Sequence, residues 1–308
     1  VQLGEYRDRT GDTATVEGLR PKVFALFDYF KKFENSDGLL EKLESWVFVE
    51  WSKANGFVQD VNYPSNMLYA AALETASRLY GVPELTEKAR TLQETIRRQS
   101  YDGQFFVDNA LRKDNTLERT TNRSEVCQYF AFFFHVATPE SHPELWRILR
   151  EEFGPKRKET RAWPEVHPAN AFVGNMLRLE LLSRYGFSQQ ILDESIDYLL
   201  YMASRTGTLW ENIDESASLN HGFASHIVHT LLRDVLGMRH VDAVNHRIDI
   251  VFPEVVLPSC SGVLPLPGGA TLALSWRQEG DTLYYSLDIP PGYTLQLRNS
   301  SGKNLQEQ

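Results

Sequence analysis

Thr206-Gly-Thr-Leu-Trp-Glu-Asn-Ile-Asp-Glu-Ser-Ala-Ser-Leu-Asn-His-Gly-Phe-Ala-Ser225, followed by the apolar run Ile227 to Leu236, decides how this chain is read. A loop dense in polar and aromatic residues leads straight into an apolar helix. The same pattern recurs upstream. Helices that follow long aromatic or polar loops are expected to begin near 66, 124, 170 and 219, a period of about 50 residues. Between them lie second helices with short connections, over 85–101, 143–152 and 188–204. Apolar spacing supports each assignment. Val23, Leu26, Phe27 and Phe30 form one stripe. Met67, Leu68, Ala71, Ala72 and Thr75 give a broad small-residue face. Val126, Tyr129, Phe130, Phe133 and Phe134 give a heavily apolar one. Gly81-Val-Pro83, Thr138-Pro139, His142-Pro143 and Gly186 break the runs.

With two helices at the N-terminus the count reaches nine, arranged as helical hairpins. Such hairpins in series close into a toroid or stack as a solenoid. Trp46 and Trp51, Arg119 to Glu125, Trp163 to His167, and Trp210 to His221 occupy the four long loops. In a closed ring these loops share one mouth; in a solenoid they line one edge. After Gly237 the periodicity changes to two. Arg247–Phe252, Thr271–Trp276, Leu283–Ile289 and Thr294–Leu297 alternate, punctuated by Pro267-Gly-Gly269, Glu279-Gly-Asp281 and Pro290-Pro-Gly292. A helical domain over 1–240 and a small antiparallel β-sandwich over 241–308 are therefore expected.

Composition narrows the functional classes. Of 308 residues, 42% are hydrophobic and 24% charged, as in an ordinary globular chain. The net charge of −9, with no Lys/Arg-rich block, argues against nucleic acid. No run approaches the roughly 18 apolar residues that would span a membrane. Cys127 and Cys260 are too few for a disulfide framework or a metal site, and His135, His226 and His229 are scattered along helices, so neither a metal nor another cofactor is expected. Aromatics at 12% suit carbohydrate recognition, and a Trp next to a carboxylate suits sugar cleavage: the indole offers a flat apolar face and the carboxylate accepts a proton from water. The plain alternative for Trp210-Glu211 is an ordinary helix start, with Asp214 and Glu215 near a positive N-terminus. Glu125 has the same alternative, and Glu50 could simply pair with Lys53 at the surface.

Four stretches together resemble the C-terminal part of bacterial-type glycoside hydrolase family 78 α-L-rhamnosidases. They are Trp46-Val-Phe-Val-Glu-Trp51, Arg123-Ser-Glu-Val-Cys-Gln-Tyr129, Asn170-Ala-Phe-Val-Gly-Asn175, and Gly207-Thr-Leu-Trp-Glu211 running into Leu219-Asn-His-Gly-Phe-Ala-Ser225. The resemblance implies an (α/α)6 toroid, here incomplete at its N-terminus, followed by the β-sandwich. It implies release of terminal α-L-rhamnose from an oligosaccharide or glycoside with inversion. That chemistry uses two carboxyl groups about 6.5–9.5 Å apart, one protonating the leaving oxygen and one activating water. By resemblance Glu211 is the general base, and His221 and Trp51 contact the sugar. Glu50 stands where many relatives have Asp, and Trp210 shapes the pocket. Asn220 and Trp163 complete the substrate-binding candidates.

The family's general acid sits in an Asp-Cys-Pro-x-Arg-x-Glu-Arg motif that this sequence lacks, and nine helices fall short of twelve. The chain is therefore expected to be the C-terminal portion of a longer enzyme, inactive alone. A homo-oligomer stays open, and a periplasmic or secreted location is slightly favoured over the cytoplasm. The alternatives are another (α/α)6 carbohydrase or lyase, and a non-catalytic helical-repeat module that binds a glycan or protein.

Overall fold

The computed structural model describes residues 1–212 and 214–308, with Lys158 described by its backbone alone. The chain forms two compact units: residues 1–7, 12–181 and 210–218, and residues 8–11, 182–209 and 219–308. The cut does not follow the change in sequence texture near 240, because the last helices join the unit that holds the strands.

The helices α1 (Gln2–Thr10), whose residues from Asp8 on count with the second unit, and α2 (Thr13–Lys31) precede a long loop, a short strand β1 (Val61–Asn62) and the hairpin of α3 (Tyr63–Tyr80) and α4 (Pro83–Ser100). Local chemistry sets these bounds. Asn62 Oδ1 accepts from the Ser65 amide at 2.9 Å, Pro64 occupies the first turn, and Gly81 ends α3 in the left-handed region. Pro83 then opens α4 and forces a tight connection. β2 (Asn109–Lys113) and β3 (Thr116–Arg119) pair as a hairpin, and β1 joins β2 antiparallel. This three-stranded sheet inside the helical region was not anticipated from the sequence; its strands are two to five residues long, too short to show a period.

α5 (Glu125–Phe133) is capped by Ser124, whose Oγ accepts from the Cys127 amide at 3.1 Å. Every residue of α5 from Glu125 to Phe132 is buried, so it is an inner helix. α6 (Pro143–Glu151) instead buries one face, through Leu145, Trp146, Ile148 and Leu149. α3 and α4 repeat the contrast, with more of α3 buried. In these two hairpins the helix behind the long loop is the more buried one. One turn, α7 (Arg157–Thr160), precedes α8 (Val173–Arg184). Leu26, expected on the apolar stripe of α2, is exposed, whereas Phe24 and Phe27 pack with Val16 and Tyr80.

In the second unit α9 (Ser188–Ser195) continues through a π turn into α10 (Tyr201–Thr206). α11 (His226–Thr230) likewise continues through a π turn, Leu231–Leu236, to Gly237. A side chain at Gly237 would lie 2.5 Å from the Val251 carbonyl oxygen, and its φ is +107°, so only glycine fits this exit. Seven strands follow: β4 (Met238–Asp242), β5 (Arg247–Phe252), β6 (Ser259–Pro265), β7 (Thr271–Glu279), β8 (Thr282–Asp288), β9 (Thr294–Asn299) and β10 (Asn304–Glu307).

They form one sheet in the order β10-β8-β7-β6 and a second in the order β4-β5-β9. Ile248, Ile250 and Phe252 of one sheet and Leu272, Leu274, Trp276 and Leu283 of the other share one core with Leu236. The sheets are mixed, not antiparallel throughout: β9 runs parallel to β5, and β10 parallel to β8. Alternation fixes which face of a strand is buried but not which neighbour it takes, so the direction of pairing is invisible in the pattern. Among the described residues no helix is long and apolar enough to cross a membrane, and no group of three or more His, Cys, Asp or Glu is placed to hold a metal ion.

Candidate active site

The loop from Trp46 to Gly56 is shaped by short-range hydrogen bonds. The Val49 amide donates to Asn55 Oδ1 at 3.1 Å, the Ser52 amide to the Glu50 carbonyl at 2.7 Å, and the Ala54 amide to Ser52 Oγ at 3.3 Å. This curl turns Glu50 inward and Trp51 outward. Glu50 is 0% exposed and Trp51 is 42% exposed. Glu50 Oε1 accepts from the Gly174 amide near the start of α8. A side chain at position 174 would come within 2.5 Å of both that oxygen and Ala169 Cβ, which explains the glycine. Burial pushes the Glu50 carboxyl up to about 7, with the Gly174 amide opposing that rise. A surface pair with Lys53 is thereby replaced by a buried anchor.

Glu211 sits on a second loop, closed by its amide donating to the Ser218 carbonyl at 2.9 Å, with the Ser218 amide 3.4 Å from Glu211 Oε2. The two loops meet at Asn170. Its Nδ2 donates to the Trp51 carbonyl oxygen at 2.9 Å and to Asn212 Oδ1. Asn212 Nδ2 in turn donates to Ser216 Oγ at 3.1 Å. Trp51, Ser52, Asn55, Gly56, Glu211, Asn212 and Ala217 line a pocket of about 570 Å³, within the range of small-ligand sites. An exposed indole, a half-buried carboxylate and amide groups face one space. Glu211 is the single carboxylate among these lining residues.

The other sequence candidates are placed as follows. Trp210 is 1% exposed, so it presents no indole face to a ligand, and the ring beside the carboxylate is that of Trp51. Trp163 does not line the pocket; its indole N–H donates to Glu152 Oε2 at 2.8 Å and its ring meets Phe105 edge-on. Asn220 and His221 belong to the second unit. The His221 amide donates to the Leu209 carbonyl at 2.9 Å, and its Nδ1 accepts from the Phe223 amide at 3.3 Å, capping the turn that leads into α11.

Glu125 is buried. It accepts from Arg157 Nη1 at 2.6 Å, the Gly154 amide at 2.8 Å and the Tyr129 hydroxyl, so it organises loops and touches no open space. In the sequence Asn170 reads as part of a motif, not as a site residue. An asparagine immediately before an apolar helix also reads as a cap, and only the fold shows what its amide group ties together.

The chain is similar in structure to a GH78 family rhamnosidase of Bacillus sp. GL1, with a TM-score of 0.84 at 20% identity, covering 99% of this chain and 33% of that one. It is similar to an α-L-rhamnosidase from Dictyoglumus thermophilum at a TM-score of 0.69 and 12% identity, covering 96% and 33%. A rhamnosidase from Klebsiella oxytoca with rhamnose bound matches at a TM-score of 0.56 and 16% identity, covering 76% and 45%. The chain thus spans between about a third and under half the length of these structures. At such identities the likeness establishes a common fold. No protein-family model and no curated protein sequence matches the chain.

Proposed function

We propose that this chain carries the base side of an inverting α-L-rhamnosidase site, in a helical-hairpin toroid followed by a β-sandwich. Glu211 removes a proton from the attacking water, and Trp51 receives the apolar face of the sugar. Glu50 orients the Trp51 loop from beneath. The observation that carries the reading is the shared pocket of Glu211 and Trp51, set in a fold otherwise seen in rhamnosidases. Inversion needs a second carboxyl group across the anomeric carbon. Since Glu211 is the one carboxylate among the lining residues, the acid comes from outside that set.

The test is Glu211→Gln in the full-length gene product. Loss of turnover by about 10²–10⁴-fold with retained affinity for rhamnose supports a base. Unchanged turnover removes Glu211 from that role. A second reading, a sugar-binding module without catalysis, is favoured by that single carboxylate. It requires that rhamnosides bind to the full-length product and are never cleaved.

A further inference from the structure

Trp46 is 67% exposed, an unusual placement for an indole, and it is not isolated. Its ring centroid lies 5.6 Å from that of Trp51, with 38° between the planes. Phe48 contacts both, at 5.2 Å from Trp46 and 5.1 Å from Trp51, and is backed in turn by Phe172 at 6.3 Å. The four rings make a ridge whose outer surface is two indoles. Trp51 lines the pocket that Glu211 lines, and Trp46 extends the same aromatic surface beyond it. The loop beneath is held by the Val49–Asn55 hydrogen bond at 3.1 Å, so the ridge is formed before any ligand arrives.

We infer that Trp46 is a binding platform for the leaving-group side of the substrate, receiving a flat apolar face next to the sugar held at Trp51. This rests on reading the Glu211 pocket as a rhamnoside site. Two chemistries offer such a face, an aromatic aglycone and the apolar side of a second pyranose. Continuity with the pocket is what selects this occupant: a group joined to the sugar through its glycosidic oxygen must leave the pocket along its rim, and Trp46 is the exposed ring adjoining that rim.

The experiment is equilibrium titration of the full chain with methyl α-L-rhamnoside, phenyl α-L-rhamnoside and an α-L-rhamnosyl-glucose disaccharide, for wild type, Trp46→Ala and Trp46→Phe. Trp46→Ala is expected to weaken the phenyl glycoside, the disaccharide or both by about three- to tenfold. It should leave the methyl glycoside unchanged, and Trp46→Phe should retain most of the affinity. Loss for the phenyl compound alone assigns an aromatic leaving group, and loss for the disaccharide alone assigns a sugar. Unchanged binding of both larger ligands overturns the proposal, as does an equal loss for the methyl glycoside. A fall of several degrees in melting temperature in Trp46→Ala also overturns it, because the indole would then be packed against protein. Failure of wild type to bind the methyl glycoside is a different result: it removes the pocket reading itself, and this inference with it.

Discussion

Asn170 Nδ2 lies 2.9 Å from the Trp51 carbonyl oxygen and donates its other hydrogen to Asn212, the neighbour of Glu211. One buried amide group thus sets the separation of the two loops that carry the indole and the carboxylate. Asn170→Ala removes both bonds and leaves buried polar groups unsatisfied, at a cost of about 1–3 kcal/mol in stability. Asn170→Asp keeps the acceptor for the Ala171 amide but turns a carboxylate oxygen toward two other oxygens. Both variants are expected to bind rhamnosides at least several-fold more weakly than wild type, and Asp no better than Ala. Calorimetric titration and urea unfolding check this; an Asp variant with wild-type affinity would show that the clasp does not position the site.

Glu50 gives a pH signature. Its carboxyl is raised in the folded state to about 7 from an ordinary value of 4.5, so the native protein binds the proton more tightly than the unfolded chain. This contribution is full below the unfolded value and is lost as pH rises through the folded one. Glu50 should therefore make the protein less stable between about pH 4.5 and 7, by an amount on the order of 3 kcal/mol. Glu50→Gln can still accept from the Gly174 amide and should flatten that part of the profile, leaving the variant more stable than wild type above pH 7. Unfolding free energies measured from pH 4.5 to 8 decide it. Asp108, fully buried and also raised to about 7, contributes a slope of the same sign in both proteins.

Gly174→Ala tests the close approach beneath the pocket. The new methyl would meet Glu50 Oε1 and Ala169 Cβ at 2.5 Å each; the first ends a side chain that is buried and bonded to the Gly174 amide, and the second moves only with its backbone. A loss of about 1–3 kcal/mol is expected, as for overpacking elsewhere. A melting curve superimposable on wild type would mean that the Trp51 loop yields freely.

Arg157→Ala leaves Glu125 buried without its ion partner, since the pair is 6% and 2% exposed. The expected cost is about 3–5 kcal/mol. By contrast Arg90→Ala on α4, whose partners Glu87 and Glu94 are all solvent-exposed, should change stability by under about 1 kcal/mol. Denaturant midpoints of the two variants, read side by side, separate a structural ion pair from a surface one.

The helical hairpins were legible because their signals are local. Pro83, Pro143 and Gly81 mark where helices start and stop, and the second helices expected over 85–101, 143–152 and 188–204 fall at Pro83–Ser100, Pro143–Glu151 and Ser188–Thr206. The Trp210-Glu211 pair was legible as part of a polar-aromatic loop, but not which rings share a pocket with Glu211. Adjacency in sequence sets Trp210 beside Glu211, but Trp210 is buried, and the ring that lines the pocket with Glu211 is that of Trp51, 160 positions away along the chain and named only on the family resemblance. Neighbours along a loop commonly point in opposite directions, so sequence adjacency does not make a pair.

By itself the sequence determined what each segment is. Spacing of apolar residues, caps and breakers act over a few positions, and so they write helices, strands and polar loops into the text directly. Tertiary structure alone decided which loops meet, that Glu50 is a buried anchor instead of a surface ion, and that Asn170 joins Trp51 to Asn212, next to Glu211. It also decided that β5 takes β9, and β8 takes β10, as parallel neighbours. Those outcomes depend on contacts between residues 22 to 124 positions apart, whose energy comes from burial and mutual satisfaction of polar groups, and no local pattern encodes a partner that distant.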